Sequence, residues 1–177
     1  MKSPSEPAGD DTAEGPPADP YEVARTIALR HLDRRDLTAA ELRDRLAAKG
    51  VSDDVADAVV ARFTAVGLVD DRRYAVHYAQ SRQASRSLSR AAVRRELQRK
   101  GIDPDLLDEA TAALDDDAEY RTARAFAERR MRALEGQVRE VRYRRLGAAL
   151  ARKGFAPGLV HRVLGEVLAV SDSDDVW

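Results

Sequence analysis

Three histidines, His31, His77 and His161, carry the side chains best suited to proton transfer or metal ligation, but they lie far apart in the chain and none has metal-ligand spacing. Clustered acids offer a second possibility. Asp53-Asp54, Asp70-Asp71 and Asp115-Asp116-Asp117 could in principle hold a divalent cation for phosphodiester cleavage. All three clusters stand where a helix is expected to begin, and an acid there is stabilising without any metal. No G-x-S-x-G, P-loop or G-x-G-x-x-G phrase occurs. The chain is therefore read as a non-enzyme, with no catalytic residue, no cofactor and no metal site assigned.

The basic residues carry more information. Arg82, Arg86, Arg90, Arg94, Arg95, Arg99 and Lys100 form one run, opposed only by Glu96. Arg121, Arg124, Arg129, Arg130, Arg132, Arg139, Arg142, Arg144, Arg145, Arg152 and Lys153 form a second, partly offset by Glu128, Glu135 and Glu140. Arginine suits forked contacts to phosphate or carboxylate. The first run is taken as the candidate partner- and DNA-binding set, against the plainer reading of a solvated helix face. Tyr74 and Tyr78, four apart, could stack on bases, or pack on a neighbouring helix with their hydroxyls at its edge. Net charge is segregated. Residues 1–20 hold one base against five acids and 171–177 hold three acids, so of the overall −1 the body 21–170 carries +6. A basic body between acidic ends fits a nucleic-acid or acidic-surface partner.

Helices must position these groups. "ELRDRLAAKGV", "AAVRRELQRKGI" and "RRLGAALARKGF" are one phrase written three times, with glycines at 50, 101 and 154. Leu42/Leu46, Val93/Leu97 and Leu146/Leu150 put an apolar pair on one face of each copy. Val51, Ile102 and Phe155 each open a second amphipathic segment in the same register. Thr38 and Ser89 read as N-caps, Thr38 with Glu41 as a capping box, and Ser52 and Asp103 as caps of the following helix. In the third copy Arg142 and Ala156 replace the two caps. Each glycine reads as a left-handed helix stop, with the preceding lysine opposing the negative helix end. A further helix precedes each pair, near 21–35, 70–86 and 116–137. The predicted fold is all-α, three tandem three-helix repeats forming an elongated, curved body. Its units are 21–67, 68–115 and 116–170, between an acidic disordered extension at 1–20 and an acidic tail at 171–177. Units of this size have little core of their own, so neighbours are expected to share buried surface.

The absence of cysteine excludes disulfides and thiolate zinc sites. No apolar run approaches a membrane span, and the N-terminus lacks a signal-peptide core. A cytoplasmic location is expected.

"GLVDDRRYAVHYAQSR", Gly67 to Arg82, followed by the basic "ELQRKGI", resembles the RecX family of bacterial regulators of the recombinase RecA. The resemblance spans about 21–168, and "TAAELRDRLAAKGV" in the first repeat also fits. The matching motif positions are Gly67, Asp70, Asp71, Tyr74, Ala75, Tyr78, Arg82, Glu96, Leu97, Lys100 and Gly101, several of them expected to be structural. The resemblance implies three tandem three-helix repeats and non-enzymatic control. A protein of this kind binds the RecA filament on single-stranded DNA, lies along its groove, restrains ATP hydrolysis, strand exchange and coprotease activity, and binds DNA weakly alone. Its expected state is a monomer. Two other classes fit an all-helical basic chain: a helix-turn-helix transcription regulator, and a non-catalytic helical-repeat scaffold.

Overall fold

The structure, a computed structural model, describes residues 19–174, so most of the acidic extension and the last three residues of the tail lie outside the described residues. Among the described residues there is no strand, and the helices fall into three groups of three. The first repeat holds α1 (Pro20–Leu32), α2 (Ala39–Ala47) and α3 (Asp53–Ala65). The second holds α4 (Asp71–Arg86), α5 (Arg90–Arg99) and α6 (Pro104–Ala110). The third holds α7 (Asp116–Met131), α8 (Arg139–Arg152) and α9 (Pro157–Asp174), with a single 3-10 turn, Arg132–Leu134, closing α7. The last helix thus runs into the segment read as tail.

Each repeat encloses its own core. Leu42, Leu46, Val59 and Phe63 fill the first, Val93, Leu97, Ile102 and Leu107 the second, and Leu146, Leu150, Val163 and Leu164 the third. Neighbours share buried surface at their joints, where Thr38 and Ser89 are fully buried, and Val69 joins the first core, but among the described residues the three apolar cores stay separate clusters. The reason lies in an alanine pair on each leading helix: Ala24/Ala28, Ala75/Ala79 and Ala123/Ala127 are fully buried. With no side chain beyond Cβ, they let three short helices close around a few large residues. The repeats are joined at helix ends, where polar groups meet and Gly101 packs closely against Ala40.

The repeated lysine–glycine phrase ends each middle helix as expected. Gly50, Gly101 and Gly154 take φ of 79, 76 and 88°. The next residue's N–H returns to the helix in all three: Val51 to the Leu46 carbonyl, Ile102 to Leu97 and Phe155 to Leu150. The starts differ more. Thr38 forms the full capping box with Glu41, and Ser89 and Asp103 cap α5 and α6 through their side chains. Ser52 occupies the N-cap position of α3 but makes no cap bond. In the third repeat, which has no Ser or Thr to stop it, α8 starts at Arg139, and Arg142 lies inside the helix and is buried.

Candidate partner- and nucleic-acid-binding surface

The two joints between repeats use the same parts. At the first, the C-terminal end of α5 meets the N-terminal end of α2. The Thr38 hydroxyl donates to the Lys100 carbonyl at 2.7 Å, and Lys100 Nζ reaches Glu41 Oε1 at 2.7 Å. At the second, the end of α8 meets the start of α5. The Ser89 N–H donates to the Lys153 carbonyl at 3.0 Å, and Lys153 Nζ donates to the Arg86 carbonyl at 2.7 Å. The negative end of one helix thus faces the positive end of the next, a favourable arrangement of dipoles. A carboxylate from the later repeat completes each joint. Asp71 accepts from the Ala39 N–H at 2.8 Å, and Glu119 accepts from the Arg90 N–H at 2.9 Å. These N–H groups open α2 and α5 and have no partner within their own helices.

This geometry separates the two acids of the motif. Asp70 caps its own helix, accepting from the Arg73 N–H at 2.9 Å, while Asp71 caps a helix of the preceding repeat. Asp115 likewise caps α7. Among the described residues no three His, Cys, Asp or Glu side chains converge as a metal site.

Tyr74 and Tyr78 stack at 5.8 Å between ring centroids. Lys100 Nζ lies over both rings, at 5.4 and 5.3 Å, and the Arg82 guanidinium lies over Tyr78 at 4.5 Å. The Tyr78 hydroxyl donates to Glu96 at 2.8 Å, and Arg82 pairs with the same carboxylate at 3.2 Å. The motif residues Tyr74, Tyr78, Arg82, Glu96 and Lys100 therefore form one partly buried network beside the first joint. Burial works against the Lys100 charge, but its hydrogen bonds to Glu41 and Tyr74 outweigh burial and raise its pKa. Glu41 is lowered for the converse reason, its burial being outweighed by Lys100. Burial raises the Tyr78 hydroxyl.

A pH dependence follows. Lys100 is raised from 10.5, so its stabilisation is full below that value and is lost as pH rises through the folded value. Tyr78 is raised from 10.0 because its charged form is disfavoured in the fold, so its effect declines over the same range. On the acid side Glu41, lowered from 4.5, loses stabilisation as pH falls. Asp71, raised from 3.8 by burial and by the neighbouring Asp70 and Glu41 charges, opposes it. The expected result is a melting temperature that falls clearly above about pH 10. A Lys100→Met chain should melt lower at pH 7 and decline less steeply in alkali. An equally steep decline in that variant would remove Lys100 from the joint's energetics.

The structure disperses the first arginine run. Arg82 and Lys100 are consumed in the network, and Arg94 pairs with Asp108. Arg90 is half-buried at the second joint. Arg95 and Arg99 stay exposed on α5, with no carboxylate in ion-pair range among the described residues, and Arg99 Nε donates only to the Arg95 carbonyl. Arg86 ends α4 and is brought next to Arg129, Arg130 and Lys153 of the second run. Sequence spacing could not show that grouping, because it spans 67 positions and depends on the repeat joint. Gly67 and Gly101 turn the chain with positive φ, and Leu97 is core.

Comparison with known proteins agrees with this architecture. Family models described as the first, second and third three-helix domains of RecX match residues 24–63, 70–110 and 117–164. The chain is 40% identical over 159 residues to the regulatory protein RecX of Streptomyces lividans, covering 90% of this chain and 85% of that one. It is 41% identical over 164 residues to that of Thermobifida fusca, covering 89% of each. The crystal structure of RecX from Lactobacillus salivarius superposes with a TM-score of 0.75 at 19% identity, over 85% of this chain and 97% of that chain, a likeness of fold.

Proposed function

The chain belongs to the RecX family, and from that premise we propose that it binds the RecA filament on single-stranded DNA and restrains RecA's ATPase, strand-exchange and coprotease activities. It does so without catalysis of its own, as a cytoplasmic monomer, and thereby regulates recombinational repair and the SOS response. Family membership across all three repeats carries this reading. Exposed arginines with no acid partner among the described residues, Arg95 and Arg99 on α5 and Arg86, Arg129 and Arg130 beyond it, supply contacts for phosphates or for acidic protein surface.

The transcription-regulator reading is less well supported. A recognition helix sets its N-terminal residues against base edges. Here α3 opens with Asp53-Asp54 and α6 with Pro104-Asp105, and these acids repel the DNA backbone.

The direct test is the DNA-dependent ATPase rate of RecA with and without the purified chain. Suppression that saturates as the protein is added is expected. An unchanged rate, with strand exchange also unchanged, overturns the reading and leaves the scaffold.

A further inference from the structure

We propose that the cleft between the second and third repeats is a binding site for a single nucleic-acid strand, gripping its phosphodiesters with four cations and stacking a base on Phe126. The cleft holds about 560 Å³ and is lined by Arg86 and Ser87 at the end of α4, Phe126, Arg129 and Arg130 of α7, and Lys153 at the end of α8. No acid lines it. None of the four cations has a carboxylate in ion-pair range among the described residues, whereas Arg82, Arg94 and Lys100 each have one.

The cations are held in place by the fold. Lys153 Nζ is tied to the Arg86 carbonyl at 2.7 Å and sits 5.4 Å from the Phe126 ring centre. Arg129 donates to Ser87 Oγ at 3.0 Å. Ser87 takes φ of 49°, where glycine is the ordinary residue, and among the described residues it is the only non-glycine with positive φ. A glycine would relieve that backbone but would leave Arg129 unanchored. Like charges held together without a counter-charge are costly unless an anion visits them. A half-buried ring among them selects for a ligand with both phosphates and an exposed base face. A duplex hides its base faces, and an acidic peptide has none.

This site deepens the reading above by placing the strand on the protein, and its test omits RecA so that the two can fail separately. Binding of a fluorescein-labelled 15-mer of deoxythymidine to the full chain alone would be followed by anisotropy over a salt series. The plot of log K against log salt should fall with a slope near about −3, roughly 0.7 for each of four contacts. Arg129→Glu with Arg130→Glu should weaken binding at least tenfold and roughly halve that slope. Arg86→Glu, on a different helix, should act in the same direction. Phe126→Leu keeps an apolar group on the core side. It should weaken binding about five- to tenfold while leaving the slope unchanged. Arg30→Glu with Arg62→Glu, exposed in the first repeat, is the charge-matched comparison and should have little effect, and helicity should be the same in every variant. No binding by the wild type overturns the site. So does equal weakening by the comparison pair. A duplex of the same length bound as tightly, with no response to Phe126→Leu, overturns its assignment to a single strand.

Discussion

Gly101→Ala should lower the stability of the joint between the first two repeats by about 3 kcal/mol, while Gly50→Ala, at the same point of the repeated phrase, should cost only about 1 kcal/mol. Both glycines hold positive φ, 76° and 79°, and a Cβ there costs roughly 1–2 kcal/mol. Only Gly101 is also packed. A methyl at Gly101 would overlap the Ala40 side chain at the start of α2, whereas one at Gly50 meets nothing within 4 Å. The overlap adds a further roughly 1–3 kcal/mol. Because each repeat has its own core, the strain can be released by undocking the first repeat. Gly101→Ala should therefore broaden or split the thermal transition and expose the 33–38 segment to protease. Adding Ala40→Gly should recover the packing part and leave the φ part, a coupling that a double-mutant cycle reads directly. Equal losses at Gly50 and Gly101 would show that the helix-end docking carries no energy. Gly154 should resemble Gly101, since its Cβ would stand 2.7 Å from Ser89 Oγ and 2.9 Å from the Ala92 methyl.

The second large effect is on the recombinase. Arg95→Glu with Arg99→Glu should raise the concentration needed for half-maximal suppression of the RecA ATPase at least tenfold. Both side chains are exposed on α5, so reversing them leaves no buried charge unpaired, but an Arg95 guanidinium nitrogen lies beside Gly154 at the second joint, so melting should fall slightly for the pair and stay unchanged for Arg99→Glu alone. Suppression should also weaken with salt, through counterion release and screening. Arg94 belongs to the same run but is a poorer choice, because its reversal would place a glutamate against Asp108 and confuse stability with binding. Arg30→Glu with Arg62→Glu, exposed in the first repeat and away from its joint, gives a comparison of equal charge, whereas Arg35 faces Glu41 at 3.8 Å and would disturb the joint. Equal loss from both pairs would reduce the effect to net charge, and no loss from either would move the contact to the cleft beyond α5.

The sequence by itself determined the class, the number of repeats and the ends of most helices. Those features are local. Apolar residues four apart define a face, Thr38, Ser89 and Asp103 stop a chain entering a helix, and a glycine after lysine stops one leaving it. Where such a signal was missing, in the third repeat, the helix ran on to Arg139 instead. The buried alanine pairs were also present in the sequence, but alanine is common in any helix and marks a core only once its neighbours are known. The tertiary structure alone decided how the repeats join and which charges remain free. Asp71 and Lys100 stand next to helix ends in the sequence, yet their partners Ala39 and Glu41 are 32 and 59 positions away. A run of seven bases reads as one patch, but helical rotation and repeat docking turn Arg82 and Lys100 inward, pair Arg94, and bring Arg86 to Lys153. Linear spacing records which residues share a helix face. Whether a charge on that face meets an acid, an aromatic ring or water depends on the helix packed against it, and that helix comes from another part of the chain.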